Sequence, residues 1–391
     1  MKIGILTLTD KNDNFGAHLQ AWSLKTAVTQ ISPTIESGVI PLVYDDQTEI
    51  RLFKKYPQNV SVFTDLRRNL SRLCRNFKRG IHIKTATVRS NKFNDFFKQN
   101  SSFSMPAICA KDFVGSELDI DIFIVGSDWV WHIPERYLNA QPCSEGIEYK
   151  SVLLGFFPLK QNQKLIAYAA SQGIIPSIRS SLFEKALDNF ATVSVREEES
   201  IPYLKGCNSN KEITKVVDPT LLLKREDFLM ILSQPKEVDY IAVYCLPFAF
   251  REQFREYVVN LQNRINKQII ILNMPEEFSI PGCRCVGNDI GPREFLGYIS
   301  GASYLVTNSF HGMVFSSIFH TKFTAFRRQQ QDYRQDNLAK MLKLEQRLLD
   351  AGSTITHDND PFFKTIDWSI CDNLRNQINK SSWDFLKSSI V

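Results

Sequence analysis

Residues 305–319 read LVTNSFHGMVFSSIF. An apolar run is interrupted at Asn308, Ser309 and His311, and a second apolar run follows. The first (YLVTN, 304–308) has the continuity of a strand covered on both faces, and the second, over 310–320, that of a buried helix. A strand, a short polar turn and a helix make the repeating unit of a parallel α/β sheet. Asn308 or Ser309 can cap the helix, which places His311 in its first turn. No Asp or Glu stands there, so the helix amides are left for an external anion. A helix N-terminus lowers a histidine pKa and a bound phosphate raises it again, a coupling that suits a general acid recruited by an anionic substrate. Gly312 leaves room beside the imidazole. A buried, hydrogen-bonded core histidine is the alternative reading.

The same design recurs in both directions. Upstream lie KIGILTLT (2–9), followed by a polar loop and the helical pattern AHLQAWSLKTAV, then GVIPLVY (38–44), weakened by Pro41. DIDIFIVGSDWVWH places a strand at 121–125, and KLIAYAAS (164–171), ATVSVREEES (191–200) and KVVDPTLLL (215–223) read as further strands. Composition breaks at SQPKEV (233–238). The pattern then restarts with the strand DYIAVYCL, a helix over 250–266, the strand KQIIILN, a helix over 292–301, and the stretch quoted first. SICDNLRNQINKSSWDFLKSSI (369–390) reads as a closing amphipathic helix. The alternation predicts an α/β protein of two Rossmann-like parallel-sheet domains facing a cleft, at 1–235 and 236–369, with helix 370–391 closing the chain.

Bulk properties agree with that size. A chain of 391 residues favours two domains, and 43% hydrophobic with 23% charged residues is ordinary for a globular protein. The net charge of +5 suits an anionic substrate or a peripheral membrane contact and does not by itself argue for nucleic acid. The basic segment LRRNLSRLCRNFKRG (66–80) presents a positive face that could meet phosphate groups or simply face solvent. The start lacks the order of a signal peptide and no stretch approaches a membrane span, so a cytoplasmic protein is expected, for which the net charge also allows a peripheral contact at the inner membrane face. Of eight cysteines only Cys283 and Cys285 are close, and CRC is too tight for the usual zinc-knuckle spacing. No pattern calls for a metal.

Ligands in such sheets bind at the carboxyl ends of the strands. Candidates there are Asn14 and Gly16 after the first strand, where a glycine lets backbone approach a ligand. Gly126, Ser127 and Asp128 can form a sharp turn that caps a helix or holds a sugar hydroxyl. Trp129 and Trp131 offer aromatic faces to a sugar, or fill a core. His132 stands alone. Arg196 ends a strand, where a guanidinium suits bidentate phosphate or carboxylate binding, unless it only pairs with Glu197–Glu199. Asp218, before Pro219, reads mainly as a structural cap.

Taken in order over roughly residues 1–345, NFGAHLQAWSL, DIFIVGSDWVW, KLIAYAASQG, SVREEES, VVDPTLLL and NSFHGMVFSSIF resemble the polysaccharide pyruvyl transferase family. The resemblance implies a glycosyltransferase-B-like fold with its C-terminal helix crossing back to the first domain. It implies pyruvyl transfer from phosphoenolpyruvate to two hydroxyls of a sugar, giving a pyruvate ketal and phosphate. The acceptor would be a cell-surface polysaccharide or its lipid-linked precursor, and no cofactor is implied. Arg196 would grip the donor, and His311 would contact its phosphate as general acid. The amides of Ser309, Phe310 and Gly312 would complete the anion pocket. The loops at Asn14–Gly16 and at Gly126, Ser127 and Asp128 would shape the acceptor side, with Asp128 as base. Some members carry Arg two residues before the histidine, where this chain has Ser309; Arg327, Arg328 or Arg334 would then substitute. Members often have Gln and Asn where Trp129 and His132 stand here. The same architecture also serves nucleotide-sugar-dependent glycosyl transfer, which would require nucleoside diphosphate binding, and a non-catalytic polysaccharide-binding protein would bind acceptor without turnover.

Overall fold

The computed structural model describes residues 1–8, 13–43, 88–100, 103, 105–144, 146–328 and 333–391. The basic segment 66–80 lies outside them. In chain order the strands are β1 (Lys2–Leu6), β2 (Glu36–Val39), β3 (Leu42–Val43), β4 (Ile108–Cys109), β5 (Ile122–Val125), β6 (Lys164–Ala170), β7 (Thr192–Val195) and β8 (Ile213–Lys215), then β9 (Tyr240–Tyr244), β10 (Gln268–Ile271), β11 (Arg284–Cys285), β12 (Tyr304–Thr307), β13 (Phe323–Phe326) and β14 (Leu348–Leu349). They form two six-stranded sheets, β2-β1-β5-β6-β7-β8 and β11-β10-β9-β12-β13-β14, with β3 and β4 as a separate pair. Every described pairing is parallel.

Both faces of each sheet are covered, which is why the strands read as unbroken apolar runs. Side chains alternate across a strand. Ile3, Ile5, Ile122 and Ile124 join one core with Tyr240, Ala242 and Leu305 of the second sheet. Leu6, Phe123 and Val125 face a core behind the first sheet, and Ile241, Val243 and Val306 one behind the second. Each fully buried Val, Leu, Ile or Phe among them contributes about 1.5–3 kcal/mol. The shared core brings the sheets together: Phe15, in the helix Phe15–Ile31, stacks on Phe295 of the helix Pro292–Ser300 at 4.2 Å between centroids.

Two expected strands are shorter than the apolar runs suggest. GVIPLVY is split at Pro41: β2 stops at Val39, and Leu42–Val43 pair instead with Ile108–Cys109. Proline cannot donate to a continuous ladder. KVVDPTLLL is not a strand beyond Lys215. Asp218 caps the short helix Pro219–Leu222, accepting from Thr220 N at 3.0 Å, and Pro219 takes the first helical position, where its missing N–H costs nothing.

The helix Trp368–Ile390 spans both halves. His320 meets Asp372 near its start at 3.0 Å. Further along, Ser382 Oγ accepts from Val217 N at 3.0 Å, Trp383 donates to Leu222 O, and Ser389 bonds Thr192. Among the described residues no helix is long and apolar enough to cross a membrane.

Candidate active site

The strand ends of the two sheets meet around His311. Ser309 is the N-cap of the helix Phe310–Phe319, its hydroxyl accepting from Gly312 N at 3.4 Å. Asn308 does not cap. Its amide bonds Leu246 N at 2.6 Å and Leu246 O at 2.8 Å, fastening the ends of β9 and β12 together. The expected anion pocket is reduced accordingly. The Ser309 amide donates to Thr307 Oγ1 and the Gly312 amide is capped, so the remaining first-turn amides are those of Phe310 and His311.

His311 is 8% exposed, and its Nε2 has no hydrogen-bond partner among the described residues. Its ring lies against Gly16 of the first sheet's leading helix, where a Cβ would stand 2.1 Å from Nδ1. Gly16 therefore makes space for the imidazole, the role expected of Gly312. Gly312 instead packs on Thr307, whose Oγ1 would lie 2.7 Å from an added Cβ. Asn14 is a cap for the same helix, accepting from Ala17 N at 3.3 Å. Burial pushes the His311 pKa below its ordinary value, with Arg196 and Arg334 adding to the shift and Asp218 and Asp128 opposing it. An anion added beside the ring would favour its charged form.

Across from His311 stands Asp218, its Oδ2 at 3.9 Å from Nε2. The same oxygen accepts from Arg196 Nη1 at 2.7 Å, and Oδ1 accepts from Thr220 Oγ1 at 2.7 Å. Burial alone would raise the Asp218 pKa, but His311, Arg196 and Thr220 together hold it below the ordinary carboxylate value. Asp218, read from sequence mainly as a cap, is a cap and the carboxylate nearest His311. Its signal was its position just past a strand end.

Arg196 corrects another expectation. Its fork is already engaged, with Nε on Glu197 at 2.8 Å, Nη1 on Asp218 and Nη2 on Ser171 at 3.1 Å, and Asp128 at 3.6 Å. Burial works against this charge, yet Glu197, Asp218 and Asp128 outweigh it and raise the pKa. Arg196 organises the carboxylates, its fork already taken up by protein partners.

Gly126 passes so close to β6 that a Cβ would lie 1.9 Å from Tyr168 O. Ser127 is fully buried, donating its amide to Gln20 Oε1 at 3.1 Å and approaching Asp218 with its hydroxyl at 3.5 Å. Gln20, overlooked in the sequence as one polar residue of an apolar helix, ties that turn to Thr7 at 2.9 Å. Asp128 holds a left-handed φ of 62°, a conformation that costs a non-glycine residue about 1–3 kcal/mol and concentrates at functional sites. It does not cap the following turn; its carboxylate faces Arg196 and, at 3.9 Å, Arg334.

Of these groups, Asn14, Asp128, Ser309 and His311 line a cavity of about 330 Å³, together with Trp129, Arg328 and Arg334 among others. Arg334 lies over the Trp129 ring at 5.1 Å. Arg327, by contrast, turns away to Asp336 and Asp350. Trp131 is core, packed on Phe183 and Phe190 with its indole donating to Leu153 O. His132 sits behind Trp129 and bonds Gln172 O at 3.1 Å.

Two parallel sheets whose strand ends share one cleft define a glycosyltransferase-B-like α/β protein with a histidine–carboxylate centre. The model of the polysaccharide pyruvyl transferase family matches residues 14–330, and the chain belongs to that family. No curated protein matches the sequence. Among solved structures the chain is similar to the UDP-GlcNAc 2-epimerase of Methanocaldococcus jannaschii, at 11% identity over 97% of this chain and 93% of that one, TM-score 0.42. It is similar also to the UDP-GlcNAc 2-epimerase of Neisseria meningitidis, at 9% identity over 99% and 94%, TM-score 0.43. A third is the ADP-heptose lps heptosyltransferase II of E. coli, at 10% identity over 96% and 99%, TM-score 0.36.

Proposed function

We propose that the protein transfers a pyruvyl group from phosphoenolpyruvate to two hydroxyls of one sugar in a polysaccharide or its lipid-linked precursor, forming a pyruvate ketal. Family membership supports the reaction class. The observation that carries the residue roles is the buried, unpartnered His311 Nε2 facing Asp218 on a cavity lined by Arg328 and Arg334.

The first hydroxyl oxygen bonds to C2 of the donor while C3 takes a proton and becomes a methyl group. Phosphate then leaves with the C–O bonding electrons, and the second hydroxyl adds to the resulting oxocarbenium carbon. Two hydroxyl protons are released in all; one balances the new methyl group and one the departing phosphate. In this reading Arg328 and Arg334, with the helix start at Phe310 and His311, hold the donor's charges. The donor's negative charge and Asp218 together stabilise the His311 imidazolium, which delivers the proton to C3. Asp128, on the same cavity, takes the hydroxyl proton.

The test is to mix the protein with phosphoenolpyruvate and galactose-, mannose- or glucuronate-containing acceptors, following phosphate release and the ketal methyl signal by NMR. Acceptor-dependent phosphate release with matching ketal is expected. Stabilisation by nucleoside diphosphates, with no phosphate release from any acceptor mixture, would instead favour glycosyl transfer.

A further inference from the structure

A second, larger cavity of about 610 Å³ adjoins the first. It is walled by the segments that follow β7 and β8, by the helix Tyr333–Leu342 and by the C-terminal helix. Phe310 and Arg334 line both cavities. Asp218 lines the larger and His311 the smaller, so their 3.9 Å approach lies where the two adjoin.

The cavities differ in charge. The smaller sets Arg328, Arg334 and a helix start against one carboxylate, Asp128. The larger balances four cations (Arg196, Lys215, Arg334, Lys340) with four carboxylates (Glu197, Glu198, Glu199, Asp218). It therefore offers an anion no net attraction. Leu221, Met341 and Ile378 give it an apolar wall, next to the uncharged polar groups of Asn337, Ser381 and Ser382. One polar atom there is unclaimed: Glu197, 3% exposed, uses Oε1 on Arg196 and Ser171, while its buried Oε2 has no hydrogen-bond partner among the described residues. A buried acceptor left unpaired costs about 1–3 kcal/mol, a cost that a ligand hydroxyl reaching Glu197 from the cavity would relieve.

Apolar surface for ring C–H groups, uncharged hydrogen-bonding groups and an acceptor for hydroxyls match the faces of a pyranose. We infer that the larger cavity is the acceptor subsite and that it takes a neutral hexose in preference to a uronic acid. This rests on the pyruvyl-transfer reading for the donor, and it places the reacting hydroxyls at the Asp218–His311 junction.

The test uses the full chain with methyl β-galactopyranoside, methyl α-mannopyranoside and methyl β-glucuronide as probes, followed by saturation-transfer NMR. Ser381→Trp, at an exposed position of the C-terminal helix, and Met341→Trp each fill the cavity without touching the smaller one. At least one neutral glycoside should bind the unmodified protein at least tenfold more tightly than the glucuronide. Both variants should lose that binding at least tenfold while thermal stabilisation by phosphoenolpyruvate stays as in the parent. Parent-like glycoside binding in both folded variants, equal or tighter glucuronide binding, or no glycoside binding by the parent would each overturn the inference. Glycoside binding that the variants abolish, without phosphate release from phosphoenolpyruvate, would support this subsite while counting against pyruvyl transfer.

Discussion

The segments after β5, β7 and β8 of the first sheet deliver Asp128, Glu197 and Asp218, whereas those after β12 and β13 of the second deliver His311 and Arg328. Both sheets have six parallel strands, and both send their strand ends into the same cleft. Their chemistry is divided. The first sheet supplies carboxylates held rigid by Arg196, and the second supplies an imidazole at a helix start that carries no acid, with the cation Arg328 after its next strand. In the proposed reading the donor site and the proton-handling pair arise where the sheets face each other, and the 3.9 Å gap between Asp218 and His311 is the seam.

The largest expected effect comes from removing the second sheet's contribution. His311→Ala should slow phosphate release about 10²–10⁴-fold at saturating substrates, the usual worth of a positioned general acid. An unchanged rate would remove His311 from the chemistry. On the first sheet, Asp218→Asn leaves Arg196 facing fewer charges in a buried site. Urea unfolding should register a loss of about 3–5 kcal/mol, as for other broken buried pairs, and a loss below about 1 kcal/mol would mean the cluster is not held as described.

The seam itself can be disturbed without deleting either partner. Gly16→Ala should improve local helix propensity, yet its methyl group would collide with His311. Because a displacement near 1 Å can cost about 10²-fold, phosphate release should fall by about that factor, while stability falls by only about 1–3 kcal/mol, the cost of an overpacked site. Equal activity in the alanine variant would show that the ring does not need this position. Arg334→Ala should raise the KM for phosphoenolpyruvate about 10–100-fold, the worth of a charged hydrogen bond, and change kcat less.

The sheets were legible because period and composition act locally. Runs such as KIGIL and YIAVY announce strands covered on both faces, and the helix Phe310–Phe319 was placed within one residue of its observed end. Local chemistry also explains the two misreadings. Pro41 cut a run that apolarity alone made continuous, and Asp218–Pro219 started a helix inside one. The site was less legible because its contacts cross between sheets. Nothing near Gly16 in the sequence reveals that His311 rests on it, 295 positions away by subtraction of their numbers. Pairing of Arg196 with Glu197–Glu199 could be foreseen from the sequence, while its engagement with Asp218, Ser171 and Asp128 depended on the strand order. Arg334 was named as a substitute cation from proximity in sequence; the fold brings it over Trp129, and it sends Arg327 elsewhere.

The most direct measurement is the titration of the His311 imidazole by NMR in labelled protein, with and without phosphoenolpyruvate. Six histidines keep the spectrum resolvable, and the His311→Ala variant assigns the signal. Burial should hold the free-protein pKa below the ordinary value near 6.5. A donor anion bound beside the ring should raise it, so that binding takes up a proton at pH values between the two pKa values. A His311 titration that is the same with and without saturating phosphoenolpyruvate would contradict a donor site at this seam.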